Sequence, residues 1–327
     1  MQKIKAGIVG GAGYTGGELL RLLINHPHVD IHFVHSNSNA GNLISDVHTD
    51  LTGETFIAFT DTLSQDIDVL FLCVGHGDAK KFLDKNSIDP RIKIIDLSQD
   101  FRLAANASYR DGFVYGLPEL QREKIKEARN IANPGCFATC IQLALLPLAA
   151  SGNLKNEVHV SATTGSTGAG QSLSLTSHFS WRNNNSSVYK PFGHQHLNEI
   201  TESLSQAGSS ISKEDISFIP YRGDFTRGII ASLYTDSELS LEEATAIFSD
   251  YYQGHPFTHV LKKNIDLKQV VNTNKCFVYL EKHGKKLLIV SIIDNLLKGA
   301  SGQAVQNMNL LFGFEEQAGL RLKATAF

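Results

Sequence analysis

Short apolar runs alternate with amphipathic stretches along the first 150 residues of the chain. The apolar runs read KIKAGIVG, VDIHFVHS, DVLFLCVG and KIIDLS, and they are typical of buried β-strands. Helical spacing follows the first run in GGELLRLLINH, and a longer apolar helix is predicted to end at ALLPLAASG. This alternation predicts an α/β domain with a Rossmann-type, doubly wound parallel sheet.

After Gly152 the chain becomes rich in Ser, Thr, Gly and Asn. Strands are predicted at EVHVSATT, ISFIPY, RGIIASLY, KCFVYLE and KKLLIVSIID, and a surface loop at WRNNNSSVY. The pattern predicts a second, α+β domain with a mixed, largely antiparallel sheet. The last segment, KGASGQAVQNMNLLFGF, has helical spacing and is expected to return to the first domain. Residues 1–140, the dinucleotide-binding domain, would then be joined by a C-terminal helix over 299–327, and residues 141–298 would form the catalytic, substrate-binding and oligomerisation domain.

Composition and charge narrow the class of protein. A chain of 327 residues with 42% hydrophobic content can bury two cores. Lysine and arginine total 30 against 33 acidic residues, so the chain lacks the basic field that nucleic acids or anionic membranes attract. The N-terminus runs directly into an apolar strand, without a signal peptide or spanning helix, and a cytoplasmic protein with a small-molecule substrate is expected.

Three glycines between the first strand and the first helix indicate a dinucleotide site. Gly10, Gly13 and Gly16 form G-x-x-G-x-x-G. Glycine permits a tight turn and close approach of the backbone to a pyrophosphate, while the helix N-terminus supplies N–H donors. An ordinary glycine-rich turn is the alternative.

The end of the second strand distinguishes between the two nicotinamide cofactors. NAD binding usually places an acidic residue there, and this chain has none. Ser36, Asn37, Ser38 and Asn39 instead offer hydroxyl and amide groups to a 2′-phosphate. The segment favours NADP, although the same residues also suit an ordinary turn.

Four cysteines lie in unlike contexts, which disfavours a disulfide framework or structural zinc. Cys136 follows Asn-Pro-Gly at the predicted start of a helix, where N–H groups stabilise a thiolate. Cys73, Cys140 and Cys276 lie in apolar stretches and are expected to be buried. Cys136 is therefore the candidate nucleophile, with simple burial as the alternative.

The segment FGHQHLNEI places His194, His196 and Glu199 within six residues. One imidazole could act as general acid and base towards Cys136, with Glu199 orienting it. A metal site and histidines satisfied at a loop are the alternatives. No further ligand cluster is evident in the sequence, and hydride reduction of a thioester needs no Lewis acid, so no metal is expected.

Nine segments of the chain occur in the order typical of the N-acyl-gamma-glutamyl-phosphate reductase family. They are GIVGGAGYTGGELLRLL, SNSNAG, DLSQDFRL, VYGLPEL, NPGCFATC, GSTGAG, HQHLNEI, FTRGI and KGASGQAVQNMNLLFGF. The chain resembles this family over nearly its whole length. The resemblance implies NADPH-dependent reduction of an N-acylated glutamyl 5-phosphate to its semialdehyde through a thioester, in arginine biosynthesis. It also implies the two-domain fold of aspartate-semialdehyde and glyceraldehyde-phosphate dehydrogenases and a homodimer or homotetramer.

The resemblance assigns roles to individual residues. Cys136 matches the nucleophile, and His194 is preferred over His196 as acid/base residue. The cofactor contacts are expected at Gly10, Gly13, Tyr14, Thr15, Gly16, Ser36, Asn37, Ser38, Gly302 and Gln303. The substrate contacts are expected at Arg102, Asn133, Gly165, Ser166 and Arg227. The two arginines suit an anionic substrate because a guanidinium binds carboxylate or phosphate with two parallel hydrogen bonds; a simple salt bridge is the alternative for each.

The chain departs from the family at several charged positions. Asn37, Gln171 and Gln195 stand where basic residues are usual, and Arg222 adds a charge in the segment PYRGDFTRG. These changes leave the acyl group open, with acetyl and succinyl as candidates. Two other functions remain as alternatives: an aspartate-semialdehyde dehydrogenase, and a non-catalytic dinucleotide-binding regulator.

Overall fold

The computed structural model of the chain describes residues 3–326. Its strands are β1 Ile4–Val9, β2 Val29–His35, β3 Phe59–Thr60, β4 Val69–Leu72, β5 Lys93–Asp96, β6 Phe113–Tyr115, β7 Asn130–Ala132, β8 Val158–Thr164, β9 Ser187–Val188, β10 Ile216–Arg222, β11 Ile229–Asp236, β12 Thr258–Leu261, β13 Cys276–His283 and β14 Lys286–Ile293. Its α-helices are α1 Tyr14–Leu23, α2 Ile44–Val47, α3 Asp78–Lys85, α4 Pro118–Glu127, α5 Cys136–Ala150, α6 Phe179–Arg182, α7 His196–Gln206, α8 Leu241–Tyr251 and α9 Gly302–Leu311.

The chain divides into two units. Residues 3–134 and 300–321 form the first, and residues 135–299 with 322–326 form the second. The division differs slightly from the predicted boundaries at 140 and 299. Helix α5 belongs wholly to the second unit because it packs there against α7, α8 and β14. The last predicted helix ends at Leu311 rather than near the C-terminus, and Phe327, the end of the predicted segment, lies outside the described residues.

The first unit contains a seven-stranded sheet in the order β3-β2-β1-β4-β5-β7-β6, in which every neighbouring pair is parallel. The sequence order of the strands reverses between β1 and β4, which is where open α/β sheets bind ligands at their carboxyl ends. The predicted strands are confirmed at β1, β2, β4 and β5. Strands β3, β6 and β7 were missed because segments of two or three residues carry no periodic signal.

Helix α9 packs on the first unit against α4 and α1. The Asn307 amide donates to the carbonyl of Gly116 at 2.8 Å, and the Lys93 ammonium donates to the carbonyl of Leu311 at 2.6 Å. These bonds, one from the middle of α9 and one to its last residue, satisfy two backbone carbonyls beside a helix whose residues are all buried.

The second unit contains a mixed sheet in the order β12-β13-β14-β11-β8-β10-β9. The pairs β8/β10 and β12/β13 are parallel and the others antiparallel, as the predicted mixed sheet requires. The predicted surface loop contains the end of α6 and the two-residue strand β9. Among residues 3–326, no helix is long and apolar enough to cross a membrane.

Candidate functional site

The glycine loop of the first unit is shaped by close backbone contacts. Gly10 has a φ of 81°, and a β-carbon on it would lie 2.4 Å from the carbonyl oxygen of Cys73. A β-carbon on Gly16 would lie 2.6 Å from the carbonyl oxygen of Gly10. Gly13 caps α1, whose first turn contains no acidic residue. The loop therefore fits a dinucleotide pyrophosphate, since side chains would fill the cradle and the helix start presents N–H groups.

Behind the glycine loop lies His48, which the sequence analysis did not identify. Its Nε2 is 2.8 Å from the carbonyl oxygen of Gly11, and a β-carbon on Gly17 would lie 2.4 Å from its ring. The side chain is 6% exposed, so it supports the loop from inside. The local sequence carries no signal for this role, because His48 reaches the loop only through the tertiary fold.

A cleft of about 600 Å³ opens in the first unit at the ends of β1 and β2. One wall carries Ser36, Asn37 and Ser38, which the sequence analysis assigns to the cofactor, and the other is the face of α3 that bears Lys81 and Lys85. These lysines were not among the predicted cofactor contacts. They are four residues apart and so project from one helix face.

The predicted contacts at Tyr14, Thr15, Gly302 and Gln303 lie at the starts of α1 and α9. The hydroxyl of Ser301 donates to the carbonyl oxygen of Thr15 at 2.8 Å and joins the two helix starts. The Tyr14 ring is 39% exposed, whereas Gly302 and Gln303 are buried.

Arg102 and Asn133, predicted to bind substrate, are buried in the first unit and held by protein groups. The Arg102 guanidinium donates to the carbonyl oxygens of Asn133 at 2.8 Å and Leu97 at 2.9 Å. The Asn133 amide donates to the carbonyl of Ala300 at 3.0 Å and accepts from Asn307 at 3.1 Å. These bonds hold both side chains in place at the carboxyl ends of β5 and β7 and stabilise that part of the fold.

Cys136 is the first residue of α5, directly after the capping residue Gly135. It is partly exposed, whereas Cys73, Cys140 and Cys276 are buried as expected. Burial raises the pKa of the Cys73 thiol to about 12 and also raises that of Cys140. Of the four thiols, Cys136 thus combines access with a helix N-terminus, which is the environment typical of nucleophilic thiols.

Gly299 touches Cys136 within the second unit. A β-carbon on Gly299 would lie 2.8 Å from the β-carbon of Cys136 and 3.3 Å from the carbonyl oxygen of Asp294. Gly299 lies in a π-helical turn, Leu297–Ser301, a form common at functional sites. The missing side chain leaves room for the cysteine, a requirement that was not identified from the sequence.

Glu199 connects the histidine segment to the start of the cysteine helix. Its carboxylate accepts a hydrogen bond from the backbone N–H of Gly135 at 3.0 Å, and its other oxygen lies 3.8 Å from Nε2 of His196. Gln142 of α5 donates to the carbonyl of Glu199 at 3.0 Å. The carboxylate is 5% exposed and is therefore fixed between the imidazole and the residue before Cys136.

His194 lies among the aromatic rings of Phe137, Tyr189 and Phe218, at centroid distances of 5.5, 5.8 and 5.6 Å. Its Nδ1 accepts from the backbone N–H of His196 at 3.2 Å. Burial lowers the pKa of His194 to about 3, and the neighbouring positive charges act in the same direction. At neutral pH, His194 is a neutral ring with Nδ1 as acceptor.

Tyr189 and Arg222 extend the site beyond the histidines. The Arg222 guanidinium lies 4.7 Å from the centroid of the Tyr189 ring. Burial raises the pKa of the Tyr189 phenol, and the negative charge of a Cys136 thiolate acts in the same direction. Arg222 therefore packs against a tyrosine whose phenol is affected by the charge of Cys136.

Gln171 and Gln195 stand where the family usually has basic residues. Gln171 is exposed, and the Gln195 side chain accepts a hydrogen bond from the Lys190 ammonium at 3.3 Å.

Arg227 is held in place by a buried carboxylate. Its guanidinium donates to both oxygens of Asp294, at 3.0 and 3.1 Å, and Asp294 is fully buried. Gly165 is needed beside this arginine, since a β-carbon there would lie 2.4 Å from the carbonyl oxygen of Thr226. The backbone N–H of Ser166 donates to the carbonyl oxygen of Phe225 at 2.8 Å. This bond holds together the two segments that were predicted to bind substrate.

No group of three or more His, Cys, Asp or Glu side chains that could hold a metal ion occurs within residues 3–326. The candidate reactive groups of the second unit are the Cys136 thiol, the imidazoles of His194 and His196, the Glu199 carboxylate and the guanidinium groups of Arg222 and Arg227. Such a set can perform nucleophilic and acid–base chemistry on an anionic acyl compound.

Two family models match the chain. Residues 5–128 match the semialdehyde dehydrogenase NAD binding domain, and residues 136–295 match the semialdehyde dehydrogenase dimerisation domain. The chain is thus similar to enzymes that use a nicotinamide dinucleotide, and the matched ranges lie within the first and second units respectively.

Several relatives match the chain over nearly its whole length and share one name. N-acetyl-gamma-glutamyl-phosphate reductases from Phocaeicola vulgatus and Bacteroides fragilis are each 61% identical over 99% of this chain and 100% of theirs. The enzyme of that name from Flavobacterium johnsoniae is 56% identical over the same shares.

Solved structures with the same fold include aspartate-semialdehyde dehydrogenases. The Vibrio cholerae enzyme complexed with ASA has a TM-score of 0.74 at 14% identity, covering 96% of this chain and 99% of its own. The Candida albicans enzyme with NADP has a TM-score of 0.69 at 13% identity, covering 94% and 98%. At this identity the likeness concerns the fold.

Proposed function

This chain belongs to the N-acetyl-gamma-glutamyl-phosphate reductase family, and on that premise we propose that it reduces N-acyl-L-glutamyl 5-phosphate to N-acyl-L-glutamate 5-semialdehyde with NADPH, as a step of arginine biosynthesis. The observation that carries the proposal is the partly exposed Cys136 at the start of α5, joined through Gly135 and Glu199 to His196. This arrangement combines a nucleophile with an acid/base pair.

The first step is attack of the Cys136 sulfur on the acyl carbon. A carbon–sulfur bond forms, the carbon–oxygen bond to phosphate breaks, and inorganic phosphate leaves with the electron pair. The helix dipole of α5 favours the thiolate that this step requires. Covalent catalysis divides one difficult displacement into two easier steps.

Residues of the first unit are proposed to hold the cofactor: Gly10, Gly13 and Gly16 at the pyrophosphate and Ser36, Asn37 and Ser38 at the adenosine ribose. When bound, the dinucleotide supplies the hydride that reduces the thioester. Backbone N–H groups at the start of α5 stabilise the negative charge on the acyl oxygen. The carbon–sulfur bond then breaks, and Cys136 returns to the thiolate as the aldehyde leaves.

We assign proton transfer at the acyl oxygen to His196 rather than to His194, the residue preferred from the sequence: His196 donates a proton to that oxygen after reduction and takes it back as the carbon–sulfur bond breaks. Glu199 lies 3.8 Å from His196 Nε2, and a carboxylate at that distance stabilises an imidazolium. His194, with a pKa of about 3 and a ring enclosed by aromatic side chains, stays neutral and positions the backbone of His196.

Arg227 and Arg222 are the proposed contacts for substrate anions. Arg227 is oriented by Asp294, and Arg222 projects beside Tyr189. Acetyl is the acyl group in the relatives' names. The additional cation at Arg222 favours succinyl as the second candidate, because a succinyl group ends in a carboxylate.

A homodimer formed through the second unit is also proposed, because that unit matches a dimerisation domain.

The test follows the reverse reaction with phosphate, NADP⁺ and one of three aldehydes: N-acetylglutamate, N-succinylglutamate or aspartate semialdehyde. Turnover of an N-acylglutamate semialdehyde is expected, together with loss of turnover in Cys136→Ala and unchanged NADPH fluorescence on binding. Preference for aspartate semialdehyde, or retained turnover in Cys136→Ala, would contradict the proposal. Cys140→Ala removes a buried thiol instead and is the matched control.

A further inference from the structure

We propose that Lys81 and Lys85 of helix α3 recognise the 2′-phosphate of NADP across the cleft from Ser36 and Ser38. This inference rests on the proposed use of NADP and concerns the residues that select NADP over NAD. The loop after β2 carries no Lys or Arg, so the positive charge that a 2′-phosphate requires is assigned to the lysines on the opposite wall of the cleft.

The two walls of the cleft supply complementary groups. The Asn39 amide donates to the hydroxyl oxygens of Ser36 at 3.2 Å and Ser38 at 3.1 Å. Both hydroxyls therefore act as acceptors towards Asn39 and keep their own protons for another partner. Hydroxyl donors on one wall and ammonium groups on the other match the three acceptor oxygens of a phosphate monoester.

The charge balance of the cleft also favours an anion near Lys85. Asp78 pairs with Lys81 at 3.1 Å, but both side chains are more than half exposed, and such a pair is weak. Within the described part of the chain, no carboxylate lies within ion-pair distance of Lys85. Like charges four residues apart on a helix repel, and a dianion between them would relieve that repulsion.

Asp61 is the other carboxylate of the cleft. It acts on His35, whose pKa is lowered mainly by burial and raised in part by Asp61. Asp61 thus acts on His35, the last residue of β2, through its backbone and through its charge. The lysines of α3 are the cations that this cleft offers to a phosphate.

The experiment measures the dissociation constants of NADP⁺ and NAD⁺ by calorimetry for the full chain and for Lys81→Met, Lys85→Met and the double variant. Each single variant is expected to bind NADP⁺ about 10-fold more weakly, the effect of one charge-assisted contact, with NAD⁺ affinity unchanged. The double variant is expected to lose more than either single variant. Lys80→Met, on the same helix but outside the cleft lining, is the matched control and keeps the wild-type ratio.

A double variant that keeps the wild-type preference for NADP⁺ would overturn the inference while leaving the proposed function intact. Equal losses of NADP⁺ and NAD⁺, or an equal loss of NADP⁺ in Lys80→Met, would overturn it as well. If the unmodified chain binds the two cofactors equally, the use of NADP in the proposed function itself fails. Adding Asn37→Arg to the double variant is expected to restore the preference, because Asn37 lines the same cleft.

Discussion

The Glu199 carboxylate accepts a hydrogen bond from the backbone N–H of Gly135 at 3.0 Å, one residue before Cys136. The bond fixes the position of the helix start that carries the nucleophile. The same carboxylate faces His196, so one buried group serves both the cysteine segment and the acid/base residue.

Replacing Glu199 by Gln separates these two tasks. The amide oxygen of Gln can still accept from Gly135, so the protein is expected to fold with little change in melting temperature. The charge opposite His196 is lost, and kcat is expected to fall about 100-fold, because the carboxylate no longer stabilises an imidazolium at His196. Glu202→Gln, a matched change on the same helix, is expected to leave kcat unchanged. A kcat in Glu199→Gln that matches this control would show that the carboxylate has only a structural task.

Substitution of Gly299 by Ala is expected to impair the cysteine without unfolding the protein. The new β-carbon would lie 2.8 Å from that of Cys136, so the cysteine or the turn must shift by several tenths of an ångström. We expect single-turnover acylation to slow about 10- to 100-fold, since such displacements are costly in catalysis. Gly193→Ala is the control, because the nearest atom to its new β-carbon is 3.8 Å away. Wild-type acylation in Gly299→Ala would refute the requirement for space.

The Asp294 carboxylate is expected to contribute strongly to stability. It is fully buried and accepts from Arg227 and from the backbone N–H groups of Asn272, Leu296 and Leu297. Asp294→Asn leaves the guanidinium without its countercharge, and urea unfolding is expected to show a loss of about 3 kcal/mol.

The control for this change is Asp236→Asn, which breaks an exposed pair with Lys286 at 2.8 Å and is expected to change stability little. If Asp294→Asn and Asp236→Asn lower the free energy of unfolding equally, the buried pair contributes no more to stability than the exposed one. Activity is informative too, because a misplaced Arg227 is expected to raise KM for the acyl phosphate.

Burial of His194 makes stability depend on pH. The unfolded imidazole binds a proton below its ordinary pKa of 6.5, whereas folded His194 stays neutral until pH about 3. Stability is therefore lost as pH falls below 6.5, by at most about 1.4 kcal/mol per pH unit from this group. His194→Asn, which keeps an acceptor for the His196 N–H, is expected to reduce that slope between pH 6.5 and 5 in urea titrations. The matched control His32→Asn changes an exposed histidine and is expected to leave the slope unchanged. If His194→Asn also leaves the slope unchanged, His194 is not the source of the pH dependence.

Local patterns in the sequence predicted the features that depend on neighbouring residues. The strands β1, β2, β4 and β5 are continuous apolar runs, and the helix that begins at Cys136 follows Asn-Pro-Gly directly. The glycine loop was also predicted correctly as a turn between a strand and a helix. Short strands such as β6 and β7 were missed because their three residues are held by neighbours in the sheet rather than by their own pattern.

The sequence by itself determined the alternating strands and helices, the glycine loop and the cysteine at a helix start, because each depends on residues within one or two turns of chain. Only the tertiary structure decided that Glu199 meets Gly135, that Gly299 makes room for Cys136 and that Lys81 lines the same cleft as Ser36. The residues of these three pairs lie between 45 and 163 positions apart along the chain. Packing brings them together, and no local periodicity records which distant side chains will share a buried site.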